Sequence, residues 1–176
     1  MKKAAGCFNI LKTLLTLCIA VYSITSSSQT PKTDSLKAEL KKLPPFRGQG
    51  VAADTTRINL LDDLAWEYKY SNPDTSVIYI KQALKLSIKI KWEKGIANSE
   101  RNLGGYNLDI GNYPEALRHY FKALAINEKL KDKPGVAATL SNIGIVYRNQ
   151  GNYPKALEYY FKVLKAMEKL GNKNGI

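Results

Sequence analysis

Apolar residues recur along most of the chain at spacings of three and four. Val136, Leu140, Ile143, Val146 and Tyr147 share one helical face, as do Ala156, Leu157, Tyr160, Phe161, Leu164 and Met167. The pattern predicts helices over 55–70, 74–91, 95–110, 114–131, 135–150 and 154–170. Gly151 stands where a helix stops in the left-handed conformation, and Asn152 where the next one is capped. Asn112 and Glu115 have the spacing of a capping box. Pro114 and Pro154 fall in first turns, where a missing amide costs little. A shorter amphipathic helix over 33–43 places Leu36, Leu40 and Leu43 on one side and stops at Pro44-Pro45; Phe46 to Ala53 reads as a loop.

The chain repeats itself. Residues 111–136 and 151–176 are identical at 15 of 26 positions with an offset of 40 and no gap. Gly111-Asn112-Tyr113-Pro114 returns as Gly151-Asn152-Tyr153-Pro154, and Tyr120-Phe121-Lys122 as Tyr160-Phe161-Lys162. The same offset relates Gly95, Gly135 and Gly175, and it relates Asn102 to Asn142 and Gly104 to Gly144. Further back, Leu64-Ala65 and Tyr68 align with Ile143-Gly144 and Tyr147 only if one residue is missing near Asn72. A period of this size means stacked supersecondary units. The expected organisation is a cap and loop over 29–53, a degenerate unit over 54–94, units over 95–134 and 135–174, and the opening of a fourth at Gly175-Ile176. The expected fold is all-α, a right-handed solenoid of antiparallel helix pairs.

Small and large residues alternate in register within it. Gly104 and Gly144 on first helices, with Ala116 and Ala156 on second helices, permit close approach, and Tyr120 and Tyr160 fill the space opposite.

Composition narrows the chemistry. One His and two Cys leave no ligand set for a zinc site of His and Cys, and no cofactor or metal is expected. No nucleophile elbow, Walker loop or dinucleotide fingerprint is present, so no catalytic residue is assigned and the chain is read as a non-enzyme. Lys2-Lys3 precede 12 uncharged residues, Thr13 to Ile24, followed by Ser26-Ser27-Ser28. A helix across a bilayer needs about 20 apolar residues, so this segment reads as a signal peptide, residues 1–28. The expectation is a bacterial protein exported to the periplasm or cell envelope, with an uncleaved membrane anchor as the alternative. Both Cys7 and Cys18 lie inside the segment. Removing it takes the charge from +12 to +9, because Lys2, Lys3 and Lys12 leave. The lysines are interspersed with glutamates along helices, which argues for a solvated face and against nucleic acid.

Leu140-x-x-Ile143-Gly144-x-x-Tyr147, then Gly151-x-Tyr153-x-x-Ala156, then Tyr160-x-x-Val163 resembles the tetratricopeptide repeat. The likeness covers about residues 55–176. Asn107 departs from it where an aromatic is usual, and Glu128 and Glu168 stand where many such repeats end the second helix with Pro. The longer repeat is similar to those of kinesin light chains and bacterial sensory proteins. The resemblance implies a scaffold whose first helices line a concave groove for a peptide or protein segment. By register the groove-facing positions are Asn98, Arg101, Asn102 and Gly105, then Ser141, Asn142, Ile145 and Asn149. An Asn at one-repeat spacing can both donate to and accept from a peptide backbone. The alternative function is the sensory segment of a larger signalling protein, a histidine kinase or regulator. His119 is expected on the surface, Trp66 and Trp92 in the core, and Tyr113 and Tyr153 packed at turns. The last helix pair is expected to leave an uncapped apolar face, Val146 and Leu164 among its residues, suited to self-association.

Overall fold

The computed structural model describes residues 30–48 and 52–171. The expected signal segment and the Gly175-Ile176 opening of a fourth unit lie outside them. Among the described residues seven helices follow in order: α1 Pro31–Lys42, α2 Ala52–Tyr68, α3 Pro73–Lys89, α4 Glu93–Asp109, α5 Tyr113–Lys129, α6 Lys133–Asn149 and α7 Tyr153–Gly171. Among the described residues the structure is all-helical. Each helix packs on the next in sequence, and α2 also touches α4, as α4 touches α6. The first helices of successive pairs therefore stack side by side on one surface.

All six expected repeat helices are present, each starting one to three residues early. The caps explain several of these starts. Asp132 accepts from the Gly135 amide at 3.1 Å and starts α6 at Lys133. Asn72 accepts from the Thr75 amide at 3.0 Å, with Pro73 opening α3. Asp54 is buried in the first turn of α2 and accepts the amides of Arg47 and Gly48 at 3.2 and 3.1 Å. That carboxylate gathers the preceding loop, and Ala52 and Ala53 are already helical. Asn152 caps α7 by accepting from the Lys155 amide at 3.2 Å. Asn112 makes no such bond, so the expected capping box is not formed; Glu115 pairs instead with Arg118 at 2.7 Å.

Four turns between helices share one geometry. After α4 and α6, Gly111 and Gly151 take φ of 75° and 74°; after α3 and α5, Lys91 and Lys131 do so at 56° and 55°. In each, the following amide reaches back five residues: Trp92 to the Ser87 carbonyl, Asn112 to Asn107, Asp132 to Asn127 and Asn152 to Tyr147, at 2.8–2.9 Å. After α2 the turn differs: Asn72 bonds the Tyr68 carbonyl, only four residues back. This is the missing residue that the alignment of the first unit required.

The core runs between the helices as three clusters. Ile58, Leu61 and Ala83 join Leu40 of α1, so α1 covers the N-terminal pair. Ala65, Ile80 and Leu103 tie that pair to α4. Ala116, Tyr120, Ile143 and Val146 bind α5 to α6. The interlock is steric: a β-carbon on Gly104 would stand 2.6 Å from the Tyr120 ring, and one on Gly144 2.6 Å from the Tyr160 ring.

Val146 is fully buried in this core, contrary to its expected exposure. It faces α5, within the stack. Leu164 is exposed together with Tyr153, Leu157, Phe161 and Met167 of α7. Tyr153 thus does not pack at its turn as Tyr113 does. Tyr113, Leu117 and Leu124 at the equivalent positions of α5 pack against the α5–α6 cluster, and no described element lies over α7 in the same way.

Candidate groove for a protein segment

An open cavity of about 710 Å3 lies on the surface formed by the stacked first helices. From α2 it takes Asp62, Ala65 and Trp66, and from α4 Arg101, Asn102, Gly105 and Tyr106. From α6 it takes Asn142 and Ile145. Its floor is closed by Ser76 and Ile80 of α3 and by Tyr120 of α5. Of the residues expected to face a groove, the structure brings Arg101, Asn102, Gly105, Asn142 and Ile145 to this cavity. Asn98 and Ser141, both half-buried, do not line it, and Asn149 is exposed away from it at the end of α6.

The sequence reading did not find the α2 wall. Trp66 was expected in the core, yet it is 64% exposed and Tyr70 80% exposed. Lys69 lies between them, its Nζ 5.5 Å from the centre of the Trp66 ring and 5.0 Å from that of Tyr70, and ion-paired with Asp109 at 3.2 Å. Trp66 has the register of Gly105 and Ile145, which marks it as groove-facing once the one-residue gap is counted. Trp92, by contrast, packs on the Ile58 cluster.

The polar groups are partly committed to one another. Asn102 Nδ2 donates to Asp62 Oδ1 at 3.1 Å, a bond between residues 40 apart on adjacent first helices. Burial raises the Asp62 carboxyl to about 7, with Asp63 adding to the shift and the Asn102 amide and Arg101 opposing it. Near neutral pH this carboxyl is divided between an acceptor-only and a donor form. On the floor, Ser76 Oγ donates to the Ala65 carbonyl at 2.6 Å.

His119 is not on the surface as expected. It is buried between α4 and α5, with Nδ1 2.5 Å from Glu100 Oε2 and Nε2 2.9 Å from Arg118 Nη2. Lys122 Nζ lies 3.7 Å from the other Glu100 oxygen. The arrangement lets Nδ1–H donate to the carboxylate while Nε2 accepts from Arg118. It lies apart from the cavity and joins two helices of one unit. Among the described residues, no three His, Cys, Asp or Glu side chains gather as a metal site, and no helix is long and apolar enough to cross a membrane.

Residues 95–169 match the tetratricopeptide repeat family model. No curated protein sequence matches the chain. Among solved structures, the apo form of RapI is 23% identical with a TM-score of 0.69, covering 80% of this chain and 50% of that one. Aspartyl phosphate phosphatase F from Bacillus subtilis is 20% identical with a TM-score of 0.63, covering 68% of this chain and 34% of that one. The TPR domain of Arabidopsis FLU is 20% identical with a TM-score of 0.59, covering 66% of this chain and 98% of that one. At these identities the likeness is one of fold. The chain spans about half the length of the first of these and about a third of the second.

Proposed function

We propose that this chain binds an extended protein or peptide segment along its first-helix groove, because residues 95–169 match the tetratricopeptide repeat, a family of generally non-catalytic protein-interaction scaffolds. One observation carries the reading. The stacked first helices bring Trp66, Arg101, Asn102 and Asn142 from three units to one open cavity of ligand size, about 710 Å3. The amides supply backbone hydrogen bonds, and the exposed indole supplies apolar contact. The short apolar stretch after Lys2-Lys3 supports a place outside the cytoplasm, in the periplasm or cell envelope, with the signal removed near Ser28.

The test is selection of random dodecapeptides against the full chain, followed by titration of the enriched peptides. Replacing Asn102 and Asn142 together by Ala weakens binding by roughly 0.5–1.5 kcal/mol for each lost hydrogen bond. Circular dichroism should remain unchanged. Enriched peptides that bind the double variant as tightly as the parent defeat the groove reading.

A second reading concerns α7. Tyr153, Leu157, Phe161, Leu164 and Met167 form one exposed apolar face. The α5 counterparts Tyr113, Leu117 and Leu124 are packed, so self-association through α7 is the expected use of the surface. Sedimentation tests it: Leu157→Glu with Phe161→Glu should convert an associating species to monomer. A parent chain that is monomeric at high concentration removes this reading.

A further inference from the structure

The contact between first and second helices is built the same way twice and differently once. Gly104 faces Tyr120 and Gly144 faces Tyr160, each with no room for a β-carbon. At the same register α2 and α3 carry Ala65 and Ile80, which share a cluster with Leu103. The two changes belong together. Ala65 has the methyl group that the tyrosine ring would exclude, and the shorter Ile80 accommodates it.

The exchange alters the groove. Tyr120 spans the helix pair, and its Oη comes within 3.8 Å of where a β-carbon on Gly105 would stand. Ile80 has no such ring end or hydroxyl, and with Ala65 it lines the open cavity on the α2 side. Trp66, at the register of Gly105, stands over it as a wall, with Tyr106 among the other lining residues. The polar groups around this notch are engaged with one another: Ser76 with the Ala65 carbonyl, Lys69 with Asp109 and the two aromatic rings, and Asp62 with Asn102 and with the charge of Arg101. What the notch offers an entering group is carbon. A charged side chain placed there gains no new partner for the water it loses, whereas an apolar one loses nothing.

Resting on the groove reading above, we propose that this notch is the specificity pocket of the groove. It takes one large apolar or aromatic side chain of the bound segment and excludes charged ones. Among the described pairs the notch is a feature of the first alone, so it also fixes which end of the groove holds that anchor.

The experiment uses the full chain and four probes: the N-acetyl amides of phenylalanine, leucine, lysine and glutamate. The readout is the indole N–H resonance of Trp66. The phenylalanine and leucine amides shift it in a saturable way, at least tenfold more tightly than the lysine and glutamate amides. Replacing Ala65→Gly together with Ile80→Tyr transplants the pair that the chain uses at Gly104/Tyr120 and Gly144/Tyr160. The variant keeps its helicity and loses the response by tenfold or more. If it does not fold, Trp66→Ala, read through the Ile80 methyl resonances, shows the same loss. The proposal is overturned if no probe shifts the parent, if charged probes bind as well as apolar ones, or if a folded double variant responds like the parent. The two readings fail separately. Peptides selected on the groove that lack a shared apolar residue and bind the double variant normally sink the notch alone. Apolar amides that bind when no peptide is selected sink the groove reading and leave the notch.

Discussion

Gly104 and Tyr120 lie so close that a β-carbon on the glycine would stand 2.6 Å from both Cδ1 and Cε1 of the ring. Tyr120 is almost fully buried, so the ring has nowhere to move. Gly144 and Tyr160 repeat the contact one unit on. The prediction is that Gly144→Leu lowers stability by about 1–3 kcal/mol through overpacking. Tyr160 is only half-buried and can yield, so Gly104→Leu should cost more than Gly144→Leu. Urea denaturation of the two variants measures the difference, and equal costs would show that the second ring is held as firmly as the first.

Lys91 and Lys131 end α3 and α5 in the left-handed region, where Gly111 and Gly151 end α4 and α6. A side chain there costs about 1–2 kcal/mol of backbone strain. Glycine gives back part of the gain as chain entropy, about 0.5–1 kcal/mol. Lys131→Gly should therefore stabilise the fold by up to about 1 kcal/mol. Thermal unfolding is the check, and a lowered melting temperature would mean that the Lys131 side chain contributes more than its backbone costs.

Asp62 makes stability depend on pH in a definite direction. Its carboxyl, raised by burial from 3.8 to about 7, holds a proton in the fold that the unfolded chain has already released. The contribution is whole below about pH 4, declines as pH rises to about 7, and stays lost above. Asp62→Asn keeps an acceptor for Asn102 and removes the ionisation. The variant should gain about 2–8 °C in melting temperature at pH 8 and almost nothing at pH 4. Calorimetry at the two pH values decides, and an equal gain at both would mean that Asp62 is ionised throughout.

The helices and their pairing were legible because both rest on quantities that repeat: the 3/4 spacing of apolar residues and the Gly–Tyr match at an offset of 40. What was not legible arose where one unit departs from the others. Trp66 reads as core by residue type; its groove-facing register with Gly105 and Ile145 shows only once the short turn after α2 is counted. Tyr153 and Leu157 repeat Tyr113 and Leu117 in sequence, yet they are exposed where their α5 counterparts are packed, because no described helix lies over them. Of the groove, Asn102 and Asn142 could be read from their spacing, whereas Asp62, Lys69 and Tyr70 belong to the degenerate unit and gave no periodic signal.

The Glu100–His119 pair shows the same limit in a form that can be tested. The equivalent positions are Leu140 and Tyr159 in the next unit and Leu61 and Tyr79 in the preceding one, so the middle unit alone uses an acid and a base where its neighbours use carbon. Both groups are buried, and each satisfies the other. Removing one strands its partner: His119→Ala leaves Glu100 with Lys122 alone, at 3.7 Å, and should cost about 1–3 kcal/mol. Replacing both is different. Glu100→Leu with His119→Tyr installs the residues that the chain carries at these positions in both neighbouring units, and replacing both partners of a buried hydrogen bond by apolar groups that fit can be nearly neutral or stabilising. The expected pattern is a destabilised single variant and a double variant at least as stable as the parent. Chemical denaturation of the parent, both single variants and the double variant measures the coupling. A double variant as unstable as the sum of the singles would show that Arg118 and Lys122 depend on the pair, and that it organises the α4–α5 surface beyond its own two residues.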